Sequence, residues 1–416
     1  MKKFAGILLL IIGFGGCLMS REATQDTILK DELLVSESSL PDTDGVLPQA
    51  DGASSEAAGK QEGMAAAEAL SREKKADLLR AQQPFYAFST LQVTEQNLYV
   101  EMLYALTNYV EEMEVSTMDT EEIDRIFQCV MLDHPEIFYA DGYSFVKYTL
   151  GEKVKKITFS GTYVYDQQEK AKREALIEEQ VEEILKQIPA EASDYEKVKF
   201  VYEWVINHTE YDRGASDNQN ICSVLLNGRS VCQGYAKTAQ FLLQRLNIPA
   251  ALVIGTVDNS QGHAWNLVRV DNAYYYVDTT WGDASYLFEQ EGAGRKAHVP
   301  EINYDYLCIT TEELLRTHSF SDLVPLPDCR AMEANYYVQE GAWFTETDWQ
   351  QLKTLVDRYQ QEGRETLTLK CRTEEVYNEM LNQLLEEQRI FDYLKPEGDS
   401  ILYTDSAKQL SITFWM

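Results

Sequence analysis

Three residues near the middle of the 416-residue chain have the types and the order of a thiol acyl-transfer centre: Cys232, His263 and Asp278. A cysteine thiolate can attack an acyl carbon, a histidine can take up the thiol proton, and a carboxylate can orient the imidazole and stabilise its charged form. A lone cysteine or histidine is more often structural, but this combination seldom arises by accident. We therefore predict these three residues as a catalytic triad.

A helix is predicted to begin at or just before Cys232. Small and apolar residues recur at helical spacing after it, and Pro249 ends the pattern, whose members are Ala236, Ala239, Leu243 and Leu246. The positive end of a helix dipole favours thiolate over thiol, and the free N–H groups there can bind an oxyanion. Tyr211 and Asn220 are alternatives for a second oxyanion donor that the sequence does not separate.

His263 and Asp278 are predicted on two strands joined at Asp271–Asn272, a pair of residues that favours a tight turn. If these two residues form the loop, Trp265 faces Asp278, and His263 lies on the same face as Trp265. Two polar side chains can span the diagonal distance of ~7–8 Å between the backbones. We predict Trp265 as a substrate contact, and Trp281 as either a second wall of the acyl site or a core aromatic.

The remaining histidines offer no comparable partner. His134 and His208 are predicted at helix ends, His298 in a loop and His318 in a polar turn, each without a carboxylate on a neighbouring strand. The cysteines show neither a CxxC pair nor the spacing of a zinc site, and the chain has no EF-hand calcium loop. We therefore predict no metal and no organic cofactor, and we expect most of the other cysteines to be buried single thiols.

The segments around the triad resemble the three motif blocks of the bacterial transglutaminase-like superfamily, relatives of the papain-like thiol enzymes: SVCQGYA, GHAWNLV and YYYVDTTWGD. The resemblance covers about residues 190–290. It implies that Cys232 is the nucleophile, His263 the general base and Asp278 the orienting acid. It also implies an α+β core in which the cysteine helix packs on an antiparallel sheet.

Two positions depart from the pattern of the superfamily. Ser230 stands where many members have glycine, two residues before the nucleophile. The residue after Cys232 is the polar Gln233, whereas animal transglutaminases have tryptophan there. Because an aromatic wall would help to exclude water from a thioester, we expect hydrolysis, as a peptidase or deamidase, to exceed crosslinking.

The chain is predicted to have five segments, which alternate in composition and in hydrophobic pattern. They are a signal peptide (1–17), a disordered acidic tether (18–85), an N-terminal α+β domain (86–190), the transglutaminase-like domain (191–330) and a C-terminal α/β domain (331–416). The tether is poor in aromatic residues and rich in Ala, Gly, Ser, Asp and Glu, so it cannot bury enough apolar surface to fold, a short helix near 65–79 excepted. The residue pattern of the last domain predicts a strand, a helix, a strand, a helix and a strand, in that order.

The N-terminus resembles a bacterial lipoprotein signal peptide. Lys2 and Lys3 precede an apolar run, Phe4–Phe14, and Cys17 follows two glycines as in a lipobox. This pattern predicts a diacylglycerol on Cys17 and a location on the outer face of the bacterial membrane. Alternatives are an ordinary secreted protein with an incidental cysteine and an uncleaved membrane anchor.

The formal net charge of −31 argues against a nucleic-acid partner and against electrostatic binding to anionic lipid. We therefore expect protein or peptide substrates, with cell-wall components as further partners, and contact with the membrane through the N-terminal lipid only. The main alternative from another class is a non-catalytic cell-surface binding lipoprotein that uses the transglutaminase-like fold. A second alternative is a structural lipoprotein in which the tether positions the domains.

Overall fold

The computed structural model describes six stretches of the chain, namely residues 34–38, 70–150, 153–257, 261–283, 302–395 and 401–416. The predicted signal peptide with Cys17, most of the predicted tether, and His298 lie outside the described residues. Contacts within the chain divide it into two compact units, with the boundary after Lys170.

The first unit contains four antiparallel strands, numbered β1 to β4 in chain order: Leu34–Ser38, Met113–Val115, Ala140–Leu150 and Lys153–Tyr163. Their order across the sheet is β1–β3–β4–β2. Its helices, α1 to α4, are Arg72–Ala81, Tyr86–Thr90, Val93–Asn108 and Thr120–Asp133. Strand β1 and helix α1 lie within the range predicted as the tether, and α1 falls close to the short helix expected there. The long charged helix α5, Gln167–Leu185, crosses the boundary between the units.

The second unit begins with three helices, α6, α7 and α8, at Asp194–Asn207, Ile221–Leu225 and Cys232–Arg245. Ser193 and Glu196 form a capping box that starts α6, with each side chain bonded to the other residue's backbone N–H. A short parallel pair, β5 (Glu210–Tyr211) and β6 (Arg229–Ser230), brings the loop after α6 next to the residue that precedes α8.

The central sheet of the second unit consists of four antiparallel strands, β7 to β10: Ala250–Val257, Gln261–Val270, Ala273–Val277 and His318–Phe320. Their order is β10–β7–β8–β9. Helix α8 packs on β7 and β8, and the buried Asn266 side chain donates to the Ala236 carbonyl oxygen at 3.0 Å. The predicted α+β core, with the cysteine helix on an antiparallel sheet, is confirmed.

Two short helices and a turn follow the central hairpin. They are α9 (Thr279–Gly282), a 3-10 turn (Tyr304–Tyr306) and α10 (Thr311–Leu314). The backbone N–H of Asp278 donates to the Tyr306 carbonyl oxygen at 3.0 Å, so the turn is fixed to the end of the hairpin.

The C-terminal part of the second unit contains a further four-stranded sheet. Its strands, β11 to β14, are Trp343–Phe344, Thr366–Cys371, Tyr403–Ser406 and Ser411–Trp415. Their order is β11–β12–β14–β13, and β11 pairs with β12 in parallel. Helices α11 to α13 are Tyr336–Gln339, Trp349–Gln361 and Glu374–Leu381. The last two helices alternate with β11 and β12 as predicted, but β13 and β14 form an antiparallel pair where a single strand was expected, and α11 precedes the first strand. By its contacts, this C-terminal region belongs to the same compact unit as the central sheet.

No helix in the described stretches is both long enough and apolar enough to span a lipid bilayer.

Candidate active site

Cys232 is the first residue of α8. Val231 precedes it in extended conformation and provides no side-chain cap, so the first N–H groups of the helix have no side-chain acceptor at this position. Of the six cysteines in the described part of the chain, five are buried and Cys232 is partly exposed. The thiol therefore lies at the positive end of a helix and within reach of solvent.

The buried cysteines are poor nucleophiles. Burial is the main cause that raises the pKa of Cys129 and Cys371 to about 12, and that of Cys222 and Cys329 to about 11. Burial also raises the pKa of Cys308. All are free thiols, as the sequence predicted for most of them. At neutral pH they remain protonated, because a buried thiolate lacks the solvation that stabilises its charge.

The β8–β9 hairpin has the predicted register. Val270 pairs with Ala273, and the loop residues Asp271 and Asn272 have φ values of 47° and 70°, as a type I′ turn requires. The pairing continues to Asn266 and Val277 and therefore brings the end of β9 beside the middle of β8.

His263 and Asp278 are joined across this hairpin by a hydrogen bond of 2.7 Å between Nε2 and Oδ2. Both side chains are only 1% exposed, so water does not compete for the bond. Cys232 interacts with the same imidazole and contributes to the raised pKa of His263. The structure thus brings the three predicted triad residues together at one site.

The pKa of His263 is the outcome of opposing influences. Burial lowers it, but the charge of Asp278, the hydrogen bond to Asp278 and the contact with Cys232 together hold it well above 6.5. A protonated His263 is therefore stable beside Cys232.

The Asp278 carboxylate accepts four hydrogen bonds. Its Oδ2 atom accepts from His263 and, at 3.0 Å, from His318, and its Oδ1 atom accepts from the backbone N–H groups of Thr280 and Trp281 at 2.9 and 3.1 Å. Burial raises the pKa of Asp278, but the two histidines outweigh burial and hold that pKa well below its usual range. The carboxylate therefore stays ionised although it is buried.

The contact between His318 and Asp278 corrects the sequence analysis, which predicted His318 in a polar turn without a carboxylate partner. His318 lies on β10, opposite Val257 of β7, and its side chain is buried against the triad. The strand has only three residues, and its partner lies far away in the sequence. No local pattern of residues reports such a pairing.

The burial of Trp265 differs from the expectation that this residue contacts a substrate. Trp265 is fully buried, with its ring centroid 5.9 Å from that of His263 and 4.9 Å from that of His318. It therefore packs beneath the triad, where it cannot contact a substrate. Trp281 is half-buried, at 6.3 Å from the His263 ring, and is the tryptophan that reaches solvent near the site.

The two alternatives for an oxyanion donor have different environments. The side chain of Asn220 accepts the backbone N–H of Cys222 and caps α7, which gives this residue a structural role. Tyr211 is half-buried and pairs on β5 with Ser230, two residues before Cys232. Strand pairing therefore brings Tyr211 beside the segment that leads into Cys232.

Three of these groups are also close enough to one another to be considered as metal ligands. The ligand atoms of His263, Asp278 and His318 lie within 4.8 Å of one another. However, both imidazoles contact the carboxylate at hydrogen-bonding distances of 2.7 and 3.0 Å. The side chains therefore satisfy one another directly, and the arrangement is that of a hydrogen-bonded relay.

Comparison with known proteins finds similarity over part of the chain. The chain is similar to the kyphoscoliosis peptidases of Mus musculus and Homo sapiens, with 27% identity over 106 residues and 26% over 119. The matched parts cover 22% and 24% of this chain but only 16% and 18% of those proteins. Among solved structures, a TGase crystal structure shares 19% identity at a TM-score of 0.26, over 39% of this chain and 47% of that one.

The match to a family model is more direct, because it includes the site itself. The model of the transglutaminase-like superfamily matches residues 182–279, a range that contains Cys232, His263 and Asp278. The same range contains helix α8 and the β8–β9 hairpin, the elements that hold these three side chains. The protein therefore carries a domain of the transglutaminase-like superfamily.

Proposed function

We propose that this protein is a thiol enzyme that acts on protein or peptide amides through a thioester on Cys232. The observation that carries the proposal is the buried hydrogen bond between His263 and Asp278, with the partly exposed thiol of Cys232 interacting with the same imidazole. The superfamily match and the similarity to proteins named as peptidases support a thiol enzyme.

The first half of the reaction follows from the positions of these groups. The Cys232 sulfur attacks the carbonyl carbon of the amide while its proton resides on His263. The negative oxygen of the tetrahedral intermediate can be bound by the N–H groups at the start of α8. His263 then gives its proton to the leaving nitrogen, the C–N bond breaks, and the acyl group remains on sulfur as a thioester.

In the second half, His263 removes a proton from the acyl acceptor, which attacks the thioester and restores the free thiol. We propose water as the main acceptor. Cys232 is partly exposed and is followed by the polar Gln233, so no aromatic side chain at that position shields the thioester. The net charge of −31 attracts amines, but salt screens this attraction over about 10 Å.

A peptide library with glutamine side chains tests this choice. It is incubated with and without a labelled primary amine at millimolar concentration, and the products are separated by mass spectrometry. We expect ammonia release or backbone cleavage to exceed incorporation of the amine. A larger yield of amine conjugate than of hydrolysed product would show that the enzyme is mainly a transferase.

Selective labelling of Cys232 tests the nucleophile. The protein is treated with a peptide electrophile near neutral pH, and the modified residue is mapped. We expect label on Cys232 and on none of the five buried cysteines. The matched controls are Cys232→Ala, which should lose both label and turnover with little change in melting temperature, and Cys222→Ala, which should keep both.

The same experiment separates the enzyme from a non-catalytic surface protein. Equal reactivity of all thiols, or normal turnover by Cys232→Ala, would contradict the catalytic proposal. A labelled Cys232 without turnover of any peptide would leave the acyl-transfer step without support.

We further propose that the protein is anchored by lipid on Cys17 at the outer face of a bacterial membrane. Support comes from the basic start, the apolar run and the two glycines before Cys17. Expression of the full chain with a labelled fatty acid should place label on the wild type and none on Cys17→Ala. Equal detergent partitioning of both forms would instead favour an uncleaved membrane helix.

A further inference from the structure

A second imidazole contacts the same oxygen of Asp278 that His263 contacts. His318 Nε2 lies 3.0 Å from Asp278 Oδ2, and the centroids of the two imidazole rings are 5.5 Å apart. The His318 side chain has no exposed surface. It therefore cannot contact a substrate, and any influence on the reaction passes through Asp278.

The surroundings of His318 define its protonation state. Burial lowers its pKa, and the charge of His263 acts in the same direction, although Asp278 opposes both. Its Nδ1 atom lies 2.8 Å from the hydroxyl of Thr317, and the Leu314 carbonyl oxygen is a further hydrogen-bond acceptor beside the ring. Because a carboxylate oxygen can only accept, the ring carries a proton on Nε2 and donates it to Asp278.

Rings enclose His318 on several sides. Its centroid lies 4.9 Å from Trp265, 5.0 Å from Trp281 and 5.8 Å from Tyr306. Two of these rings also pack near His263, so His318 has little freedom to turn away from the carboxylate. A donor held in this way fixes the position of the acceptor.

The backbone brings β10 unusually close to β7. At Gly255, an added Cβ atom would lie 2.0 Å from the Ser319 carbonyl oxygen and 2.6 Å from the Trp265 ring. Glycine therefore permits the close approach that delivers His318, the neighbour of Ser319, to Asp278. The placement of His318 depends on a second, independent feature of the sequence.

We propose that His318 is a positioning residue for the triad, in which its Nε2–H holds Asp278 Oδ2 in line with His263. This inference rests on the proposed thiol chemistry. The backbone N–H groups bind only Oδ1, so without His318 the position of Oδ2 would depend on the bond to His263 alone. The bond from His318 gives Oδ2 a second, buried donor and keeps it at 2.7 Å from His263.

Two substitutions at His318 test the proposal. His318→Phe keeps an aromatic ring among its ring neighbours but removes the N–H donor. His318→Gln retains a donor, because its amide nitrogen can occupy roughly the position of Nε2. We expect His318→Phe to lower kcat by about 10–100-fold with KM within about twofold of the wild type, and we expect His318→Gln to recover most of that loss.

A spectroscopic measurement makes the test independent of turnover. The proton in the hydrogen bond from His263 to Asp278 should give a far-downfield proton NMR signal in the wild type. We expect the signal to persist in His318→Gln and to weaken or move upfield in His318→Phe. Melting temperatures of both variants show whether each is folded.

The outcomes separate this inference from the proposed function. Wild-type kcat and an unchanged NMR signal in His318→Phe would overturn the positioning role. Equal losses in both variants, with both folded, would also overturn it, because the donated proton would then not be the important feature. A wild type that turns over no peptide would contradict the proposed function alone, and the NMR comparison would still decide the role of His318.

Discussion

The electrostatics of the site depend on the carboxylate of Asp278. A buried charge is costly unless it is fully paired, and Asp278 is paired with two imidazoles and two backbone N–H groups. This arrangement keeps the carboxylate negative and stabilises a positive His263. In the proposed mechanism, this pair of charges is in place before a substrate binds.

The substitution Asp278→Asn should lower turnover by about 10³–10⁴-fold. The side-chain oxygen of an asparagine can still accept hydrogen bonds from the backbone N–H groups. Its NH₂ group, however, would face His263 Nε2, and both of these groups are donors. His263 would then turn to the other tautomer or lose its orientation. The measurement is kcat/KM with a peptide substrate, alongside a melting curve. A loss below about tenfold would make Asp278 a structural residue only.

The raised pKa of His263 also predicts a dependence of stability on pH. Such a group contributes stability that is fully present below its ordinary value of 6.5 and is lost as pH rises towards the raised value. Because Cys232 can supply the proton internally in the wild type, the effect should be measured in Cys232→Ala. The unfolding free energy of this variant should fall between pH 7 and 9, by up to about 1.4 kcal/mol per pH unit.

The control for this measurement is the double variant Cys232→Ala/His263→Gln, which lacks the titrating imidazole. Urea unfolding of both proteins at several pH values gives the two slopes. Parallel slopes would show that His263 binds no additional proton on folding. A steeper fall for Cys232→Ala would support the charged pair.

At the scale of elements, the N-terminus of α8 and the loops that border it decide where the nucleophile lies. Ser230, just before the helix, is hydrogen-bonded to Ser223 at 2.6 Å and to the Asn218 carbonyl oxygen at 3.0 Å. Gly234, in the first turn, packs directly against these groups. The first turn of α8 is therefore held against α7 and the loop before it, and this contact sets the position of Cys232.

The substitution Gly234→Ala should displace this turn. Its Cβ atom would lie 1.9 Å from the Ser230 hydroxyl and 2.7 Å from the Ser223 hydroxyl, so the surrounding chain must move. We expect a loss of about 1–3 kcal/mol in stability and a larger fractional loss of Cys232 labelling rate. Adding Ser230→Gly, which removes the closest contact, should restore part of both.

A matched control is Gly214→Ala. There, an added Cβ atom would meet only the Asp212 carboxylate, at 3.4 Å, which is an ordinary contact. Its labelling rate and melting temperature should equal those of the wild type. If Gly234→Ala behaves in the same way as this control, the close packing at the start of α8 has no part in placing the thiol.

At the scale of the whole second unit, the C-terminal sheet supports the turn that contacts the triad. Lys370 of β12 is fully buried and forms an ion pair of 2.8 Å with Asp305, which also accepts from Ser411 at 2.8 Å. The next residue, Tyr306, accepts the backbone N–H of Asp278. Buried polar contacts thus run from the C-terminal strands to the backbone of Asp278.

The substitution Lys370→Met should destabilise the protein by about 3–5 kcal/mol, because it leaves Asp305 as an unpaired buried charge. The double variant Lys370→Met/Asp305→Asn removes that charge and should recover much of the loss. Chemical denaturation of the three proteins measures both effects. A single variant as stable as the wild type would show that the ion pair contributes little to the support of the turn.

The sequence by itself determined the parts of the site that depend on neighbouring residues. Asp271 and Asn272 favour the tight turn, and the alternation of side chains along a strand then places His263 and Asp278 on one face. The helical spacing after Cys232 likewise indicates where α8 begins. Both features depend on residues that are close together in the sequence, so the residue pattern alone predicts them.

Only the tertiary structure decided the features that join distant segments. His318 reaches Asp278 because β10 pairs with β7, and Lys370 reaches Asp305 because the C-terminal sheet packs against a turn far earlier in the chain. Whether Trp265 or Trp281 meets solvent also depends on which elements cover the hairpin. The packing of the whole unit determines which distant segments pair, so local residue patterns do not predict this pairing.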